Sequence, residues 1–212
     1  MKEGEDFSFL IRLAEARKAA FGDDTALFSC TFEADCGVPA MEQARKYAAR
    51  WKELSRRGLG LLFWGKPGTG KTFAAACVAN ELCAEDVSVR MCTPGRILNR
   101  LPCLSPQEKE DFLADLHSCG LLILDDLGME RRTDYAKEQL FTVIDGRCRA
   151  GKPMLVTTNL PLSVFKSAED LAEKRIFDRL LERCVPVLFD GESLRHEKAK
   201  ENLRYFKELP DN

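Results

Sequence analysis

Lys71 and Thr72 close the run Gly65-Lys66-Pro67-Gly68-Thr69-Gly70-Lys71-Thr72, which directly follows the apolar residues Leu61-Leu62-Phe63-Trp64. Glycine at the first and sixth positions, then Lys, then a hydroxyl residue, is the Walker A pattern of a phosphate loop between a strand and a helix. Gly65, Gly68 and Gly70 allow the backbone to turn so that its N–H groups face phosphate oxygens at the positive end of a helix starting near Lys71. The Lys71 ammonium then reaches the β- and γ-phosphates and the Thr72 hydroxyl ligates Mg²⁺. Gly65, Lys66, Pro67, Gly68, Thr69, Gly70, Lys71 and Thr72 are therefore the expected ATP-binding residues.

A second constellation is Leu121-Leu122-Ile123-Leu124 followed by Asp125 and Asp126. Two acids at the end of a buried strand are costly unless a cation meets them, and Mg²⁺ bridging two phosphates is the cation that suits. In this Walker B reading Asp125 holds the metal, through water, and Asp126 orients and polarises the attacking water.

These residues need elements that bring them to one edge. Phe73 to Leu82 is small and apolar almost all round, as suits a helix under a parallel sheet. Strands are expected over Val87 to Cys92, Leu121 to Leu124, Pro153 to Thr158 and Val185 to Phe189. Ser105-Pro106-Gln107-Glu108 carries an N-cap, a proline at the first helical position and a capping-box Glu, predicting a helix from Pro106 to about His117. Further helices are expected over Ala40 to Arg57, Tyr135 to Arg149 and about Ala168 to Glu182, two of them ended by Gly58 and Gly151. Alternating strands and helices at this spacing make a parallel, doubly wound α/β sheet with ligands at the carboxyl ends of its strands.

The bulk composition fits one ATPase domain: 212 residues, of which 45% are hydrophobic and 31% charged. No apolar stretch approaches a bilayer span and the acidic N-terminus does not read as a signal, so no membrane association and a cytoplasmic location are expected. Nine cysteines, none in a Cys-x-x-Cys pair, read as reduced core thiols without a zinc site. With 32 basic against 34 acidic side chains, any DNA site must be a local patch. Candidates are Arg90, Arg96 and Arg100, and Arg131-Arg132 beyond Walker B.

Taken in order, the two Walker elements, Val156-Thr157-Thr158-Asn159-Leu160, Arg175-Ile176-Phe177-Asp178-Arg179-Leu180 and Gly191-Glu192-Ser193-Leu194-Arg195 resemble the AAA+ P-loop NTPases. Within that group the likeness is to the DnaC-like and IstB-like helicase loaders and transposition helpers, from about Thr31 to Leu209. Only about 23 residues follow Phe189, a departure from the wider family, so the C-terminal lid is expected to be reduced or absent. The resemblance implies an AAA+ ATPase domain over residues 31–212, preceded by a segment 1–30. Phe7, Leu10, Ile11, Ala14 and Phe21 in that segment form an apolar stripe, read either as a partner-binding helix or as one packed on its own domain.

By the same resemblance Asn159 is sensor 1, though an Asn before Leu160-Pro161 equally suits a turn cap. Arg179 is the arginine finger given to a neighbouring subunit, with Arg175 in support; the plain alternative is a solvated helix face paired with Glu173, Asp178 and Glu182. Arg195 resembles the sensor 2 arginine, an ATP contact. The implied catalytic set is Lys71, Asp125, Asp126, Asn159 and Arg179, with Thr72 and Asp125 at the metal. Many AAA+ proteins carry Glu where this chain has Asp126, which implies slow hydrolysis stimulated by assembly or DNA.

The implied function is an ATP- and Mg²⁺-dependent loader that forms a homo-oligomer through Arg179, engages single-stranded DNA and helps load a replicative DNA helicase. One alternative is an IstB-like ATPase assisting transposition. Alternatives of other classes are a P-loop small-molecule kinase and an adaptor that binds ATP without hydrolysing it, the latter opposed by the intact Lys71, Asp125 and Asp126.

Overall fold

The computed structural model describes residues 2–35, 37–130 and 133–207. The chain forms α1 (Lys2–Phe21), two 3-10 turns (Thr25–Ser29 and Phe32–Ala34), α2 (Met41–Ala49), α3 (Trp51–Arg56), β1 (Gly60–Trp64) and α4 (Lys71–Ala84). It continues through β2 (Val89–Cys92), α5 (Pro94–Arg100), a 3-10 turn (Leu101–Cys103), α6 (Pro106–Ser118), β3 (Leu121–Leu127) and α7 (Asp134–Arg149). Last come β4 (Met154–Thr158), α8 (Leu162–Ser167), α9 (Leu171–Arg183), β5 (Cys184–Leu188) and α10 (Leu194–Lys207).

The five strands form one parallel sheet in the order β2-β3-β4-β1-β5. Period-two alternation divides their side chains between two cores. Leu61, Phe63, Leu121, Ile123 and Leu155 face α1, α2 and α4, whereas Leu62, Leu122, Leu124, Met154 and Val156 face α5, α6, α7 and α9. A sheet covered on both faces needs near-continuous apolar strands, which is why β1 and β3 read as unbroken hydrophobic runs. β5 is an edge, and it alone carries a proline, Pro186, where no interior ladder bond is lost.

This is the doubly wound parallel α/β sheet expected from the sequence, with adjustments at element ends. The helix expected over Ala40 to Arg57 is interrupted at Arg50, where the backbone leaves helical values (φ −106°, ψ 18°). Across this break Tyr47 and Trp51 are both buried and pack edge to face, ring centroids 5.9 Å apart. The helix expected from Ala168 begins instead at Leu171, because the Asp170 side chain accepts the N–H of Glu173 and caps it there. Pro106 to His117 is confirmed with both capping-box bonds and one further residue. α5, α8 and α10 were not foreseen.

The N-terminal apolar residues divide between two faces of α1. Phe21 and Ala20 are buried with Leu13 and Ala16 against the core, while Phe7, Leu10 and Ile11 remain exposed. No helix among the described residues is long and apolar enough to cross a membrane.

Candidate nucleotide-binding site

The site is assembled by strand order. β4 lies between β1, which delivers the glycine loop, and β3, which delivers the acid pair; Thr158 pairs with both Trp64 and Leu127. The carboxyl ends of all three strands therefore open on one rim, and Asn159 follows Thr158 between the loop and the acids.

Within the loop, Gly65, Gly68 and Gly70 have φ of +138°, +83° and +95°, values side-chain-bearing residues rarely adopt. Thr69 Oγ1 donates to the Lys66 carbonyl at 2.9 Å and keeps the turn closed behind Pro67. Gly70 is the N-cap of α4 and has no side chain to cap it. The first N–H groups of α4 are thus left for an external acceptor, the arrangement that binds phosphate at a helix start. Lys71, 5% exposed, donates from Nζ to the carbonyls of Gly65 and Lys66 at 2.8 and 2.7 Å. Burial lowers its pKa, the negative charges of Asp126 and Asp125 oppose that, and the positive charge of Arg195 adds to it.

Thr72 Oγ1 donates to Asp125, 3.0 Å from Oδ1 and 3.2 Å from Oδ2, which joins the two Walker elements. Asp125 is buried, and its pKa is raised: burial is the main cause, and Asp126 adds to it, while hydrogen bonds from Thr157 and Thr72 and the charge of Lys71 oppose it. A carboxylate that burial disfavours, beside a hydroxyl, is a donor set suited to Mg²⁺. That ion takes one or two protein oxygens and completes its shell with phosphate and water. No cage of three or more His, Cys, Asp or Glu exists among the described residues, and Mg²⁺–nucleotide binding requires none.

Asp126 has φ +60°, and the register of β3 on β4 shifts between Leu124 and Leu127. The bulge re-aims the second acid, a common arrangement beside active sites. The sequence pattern did not single out the side chain that holds this bulge, Thr157, whose hydroxyl touches both acid residues. The only available signal was its place among the β-branched residues of β4, which is ordinary for a strand.

The C-terminal part of the chain closes on the loop. The Leu194 N–H donates to the Gly68 carbonyl at 3.0 Å, and a side chain at Gly68 would run into Ser193. An open cleft of about 720 Å³ lies beside it, lined by Lys66, Pro67, Gly191, Glu192, Ser193 and His196 among others. Arg195 therefore stands on the loop side of the sheet, near enough to act on Lys71.

Arg179 is the candidate that the fold does not bring to this cluster. It projects from α9, whose apolar residues pack with α7 in the core on the other face from α4. Its Nε lies 3.0 Å from Asp145 Oδ1 and its Nη1 bonds Glu182 at 2.9 Å, which raises its pKa through Glu182 first and Asp145 next. Arg175, one turn before, stacks its guanidinium 4.1 Å from the Phe141 ring centroid. Asp145 was not foreseen; an acid between Phe141 and Cys148 on the inner side of α7 was the signal available.

Of the DNA candidates, Arg90 is bound by both carboxylate oxygens of Asp115 at 2.8 and 2.9 Å, and Arg100 lies over the Phe112 ring. Both line a groove with Arg96, but Glu108, Asp111 and Asp115 line it too, so it is mixed in charge rather than basic. Arg131 and Arg132 lie outside the described residues.

Comparison with known proteins agrees with this fold. The chain is 30% identical over 176 residues to the replicative helicase loader DnaC of Escherichia coli K12, covering 79% of this chain and 69% of the relative. It is 29% identical over 151 residues to the replicative helicase loader DnaI of Bacillus subtilis strain 168, covering 66% of this chain and 49% of that protein. The crystal structure of DnaI superposes with a TM-score of 0.66 at 21% identity over 80% of this chain and 92% of that one, which supports the AAA+ P-loop fold. From residues 17 to 202 the sequence matches the profile of the IstB-like ATP binding proteins, and the chain belongs to that family.

Proposed function

We propose that this protein is an ATP-dependent replicative helicase loader. It binds ATP with Mg²⁺, assembles with copies of itself, engages single-stranded DNA and helps place a replicative helicase. The observation that carries the nucleotide half is the hydrogen bond from Thr72 to Asp125, which sets a Mg²⁺-suited hydroxyl and carboxylate beside Lys71. The loader half rests on the kinship with DnaC and DnaI, both of which are named replicative helicase loaders.

In this reading the loop N–H groups and Lys71 bind the phosphates, and Thr72 and Asp125 hold Mg²⁺. Bound there, Mg²⁺ would supply charge neutralisation at the phosphates. Asp126 orients the attacking water, Asn159 hydrogen-bonds that water or the γ-phosphate, and Arg195 approaches the phosphates from the start of α10. Arg179, held on the α7–α9 side, completes the site of a neighbouring copy. ATP then works as an assembly switch, because ordering the γ-phosphate between two subunits favours one arrangement and hydrolysis removes those contacts. The exposed Phe7, Leu10 and Ile11 of α1 are assigned to contact with the helicase. The site of action is the cytoplasm.

The test is ATP hydrolysis per subunit against protein concentration, with and without single-stranded DNA, for the wild type and Arg179→Ala. Specific activity that rises with concentration and DNA and collapses in the variant supports the shared site. Turnover independent of both, and surviving the loss of Arg179, overturns it in favour of a small-molecule kinase. The family match keeps a transposition helper as the second reading. Preference for duplex over single-stranded DNA in the ATP-bound state would select it.

A further inference from the structure

Thr157 lies in β4, opposite Phe63 of β1, and is completely buried. Its hydroxyl donates to Asp125 Oδ1 at 2.7 Å and accepts the backbone N–H of Asp126 at 2.9 Å. A threonine hydroxyl has one hydrogen and two lone pairs, and here the hydrogen goes to the side chain of the first acid while a lone pair takes the backbone of the second. One buried group thus helps, with Thr72, to set the rotation of the Asp125 carboxylate, and also fixes the path of the chain into Asp126.

That path is unusual. Asp126 sits at φ +60°, where a Cβ crowds the following carbonyl, at the step where the register between β3 and β4 changes. Such a residue persists only when its surroundings over-determine it. The neighbouring Thr158 completes the clamp differently: its Oγ1 donates to the Leu127 carbonyl at 2.7 Å and accepts the Leu160 N–H at 3.1 Å. Thr158 therefore ties backbone to backbone, whereas Thr157, from within the same strand, contacts the acid side chain that Thr72 holds from the loop. Valine would fill the same volume in a buried strand, so shape does not require the Thr157 hydroxyl.

We propose that Thr157 is a positioning residue for Mg²⁺–ATP, orienting Asp125 toward the metal and holding Asp126 in its bulged conformation without itself touching the nucleotide. This rests on the assignment of Asp125 to the metal and Asp126 to water activation.

The experiment uses the full chain and compares Thr157→Val, which keeps the shape and removes the hydroxyl, with Thr157→Ser, which keeps the hydroxyl. Affinity for a fluorescent ATP analogue is titrated with and without Mg²⁺, alongside hydrolysis and thermal unfolding. In Thr157→Val, affinity without Mg²⁺ should stay within about twofold of wild type, while the gain in affinity on adding Mg²⁺ should shrink about tenfold, the scale of a lost bond to a charged partner. Its kcat should fall about tenfold or more and its KM for Mg²⁺–ATP should rise with the lost Mg²⁺-dependent affinity, so that kcat/KM falls further than kcat. Thr157→Ser should restore both. If valine destabilises the fold, Thr157→Cys, a weak donor of similar size, should give an intermediate Mg²⁺ response. Equal defects in Val and Ser, or an undiminished Mg²⁺ response in Val, would overturn the proposal. Asp125→Asn is the control: if it too keeps the Mg²⁺ response, the metal assignment fails, whereas if it loses the response and Thr157→Val does not, only the role of Thr157 fails.

Discussion

Asp145, almost wholly buried in α7, lies 3.0 Å from Nε of Arg179 in α9 and 2.7 Å from Nε of Arg149. The Arg179 contact is a charge contact rather than an aligned hydrogen bond, since no N–H points squarely at Oδ1. The consequence is an arginine held in place at its base yet still 41% exposed. Asp145→Asn keeps the shape and removes that hold. Assembly-dependent hydrolysis is expected to fall about tenfold, less than the ~10³-fold expected for Arg179→Ala, because misplacing a catalytic group costs less than deleting it. ATP affinity of the isolated subunit should be unchanged in both, as measured by titration below the assembly concentration.

Lys71→Ala removes the ammonium that the loop carbonyls of Gly65 and Lys66 hold in place. ATP affinity should fall about 100-fold, the scale of one or two charge-assisted hydrogen bonds at about 1.5–3 kcal/mol each. The fold should survive, because the loop turn is closed by Thr69 and by the glycine backbone. Calorimetric titration together with unfolding of the nucleotide-free protein checks both statements.

Asp125→Asn separates function from stability. The folded-state pKa of Asp125 is raised above its ordinary value of 3.8, so the fold favours the protonated acid. Linkage then makes its stability contribution complete below pH 3.8 and lost as pH rises through the folded pKa. The neutral amide should therefore raise the melting temperature of nucleotide-free protein above that of wild type at pH 7, and this advantage should shrink as pH falls toward 4. The same variant should lose the Mg²⁺-dependent part of ATP affinity. An advantage over wild type no larger at pH 7 than at pH 4 would contradict the burial argument.

Arg147 makes a prediction independent of the nucleotide. Its guanidinium is fully buried and donates to the carbonyls of Leu116, His117, Cys119, Gly120 and Pro153, joining the end of α6 to the start of β4. These include carbonyls of the last helical turn, which have no partner within α6. Arg147→Met would leave them buried without donors, at a cost of about 3–5 kcal/mol, or a melting-temperature loss of about 10 °C for a chain of this size. ATP affinity at saturating Mg²⁺ and well below the melting temperature should not change.

The chemistry of the loop was legible because it is local. Phosphate binding by Gly65 to Thr72 needs only a turn, a helix start and adjacent side chains, all encoded within eight consecutive residues. The acid pair was legible for a related reason: charge at the end of an apolar strand contradicts burial unless something answers it. The caps of α6 and the parallel sheet followed from spacing, since capping and alternation are short-range rules. Tertiary structure decided what depends on strand order and on packing between distant segments. Only the insertion of β4 between β1 and β3 gives the Thr157 hydroxyl two acids to hold, and only the packing of α7 on α9 sets Asp145 against Arg179. Neither pair is near in sequence, so no periodicity could announce it. The bond energies that select those pairs exist only once the sheet has closed.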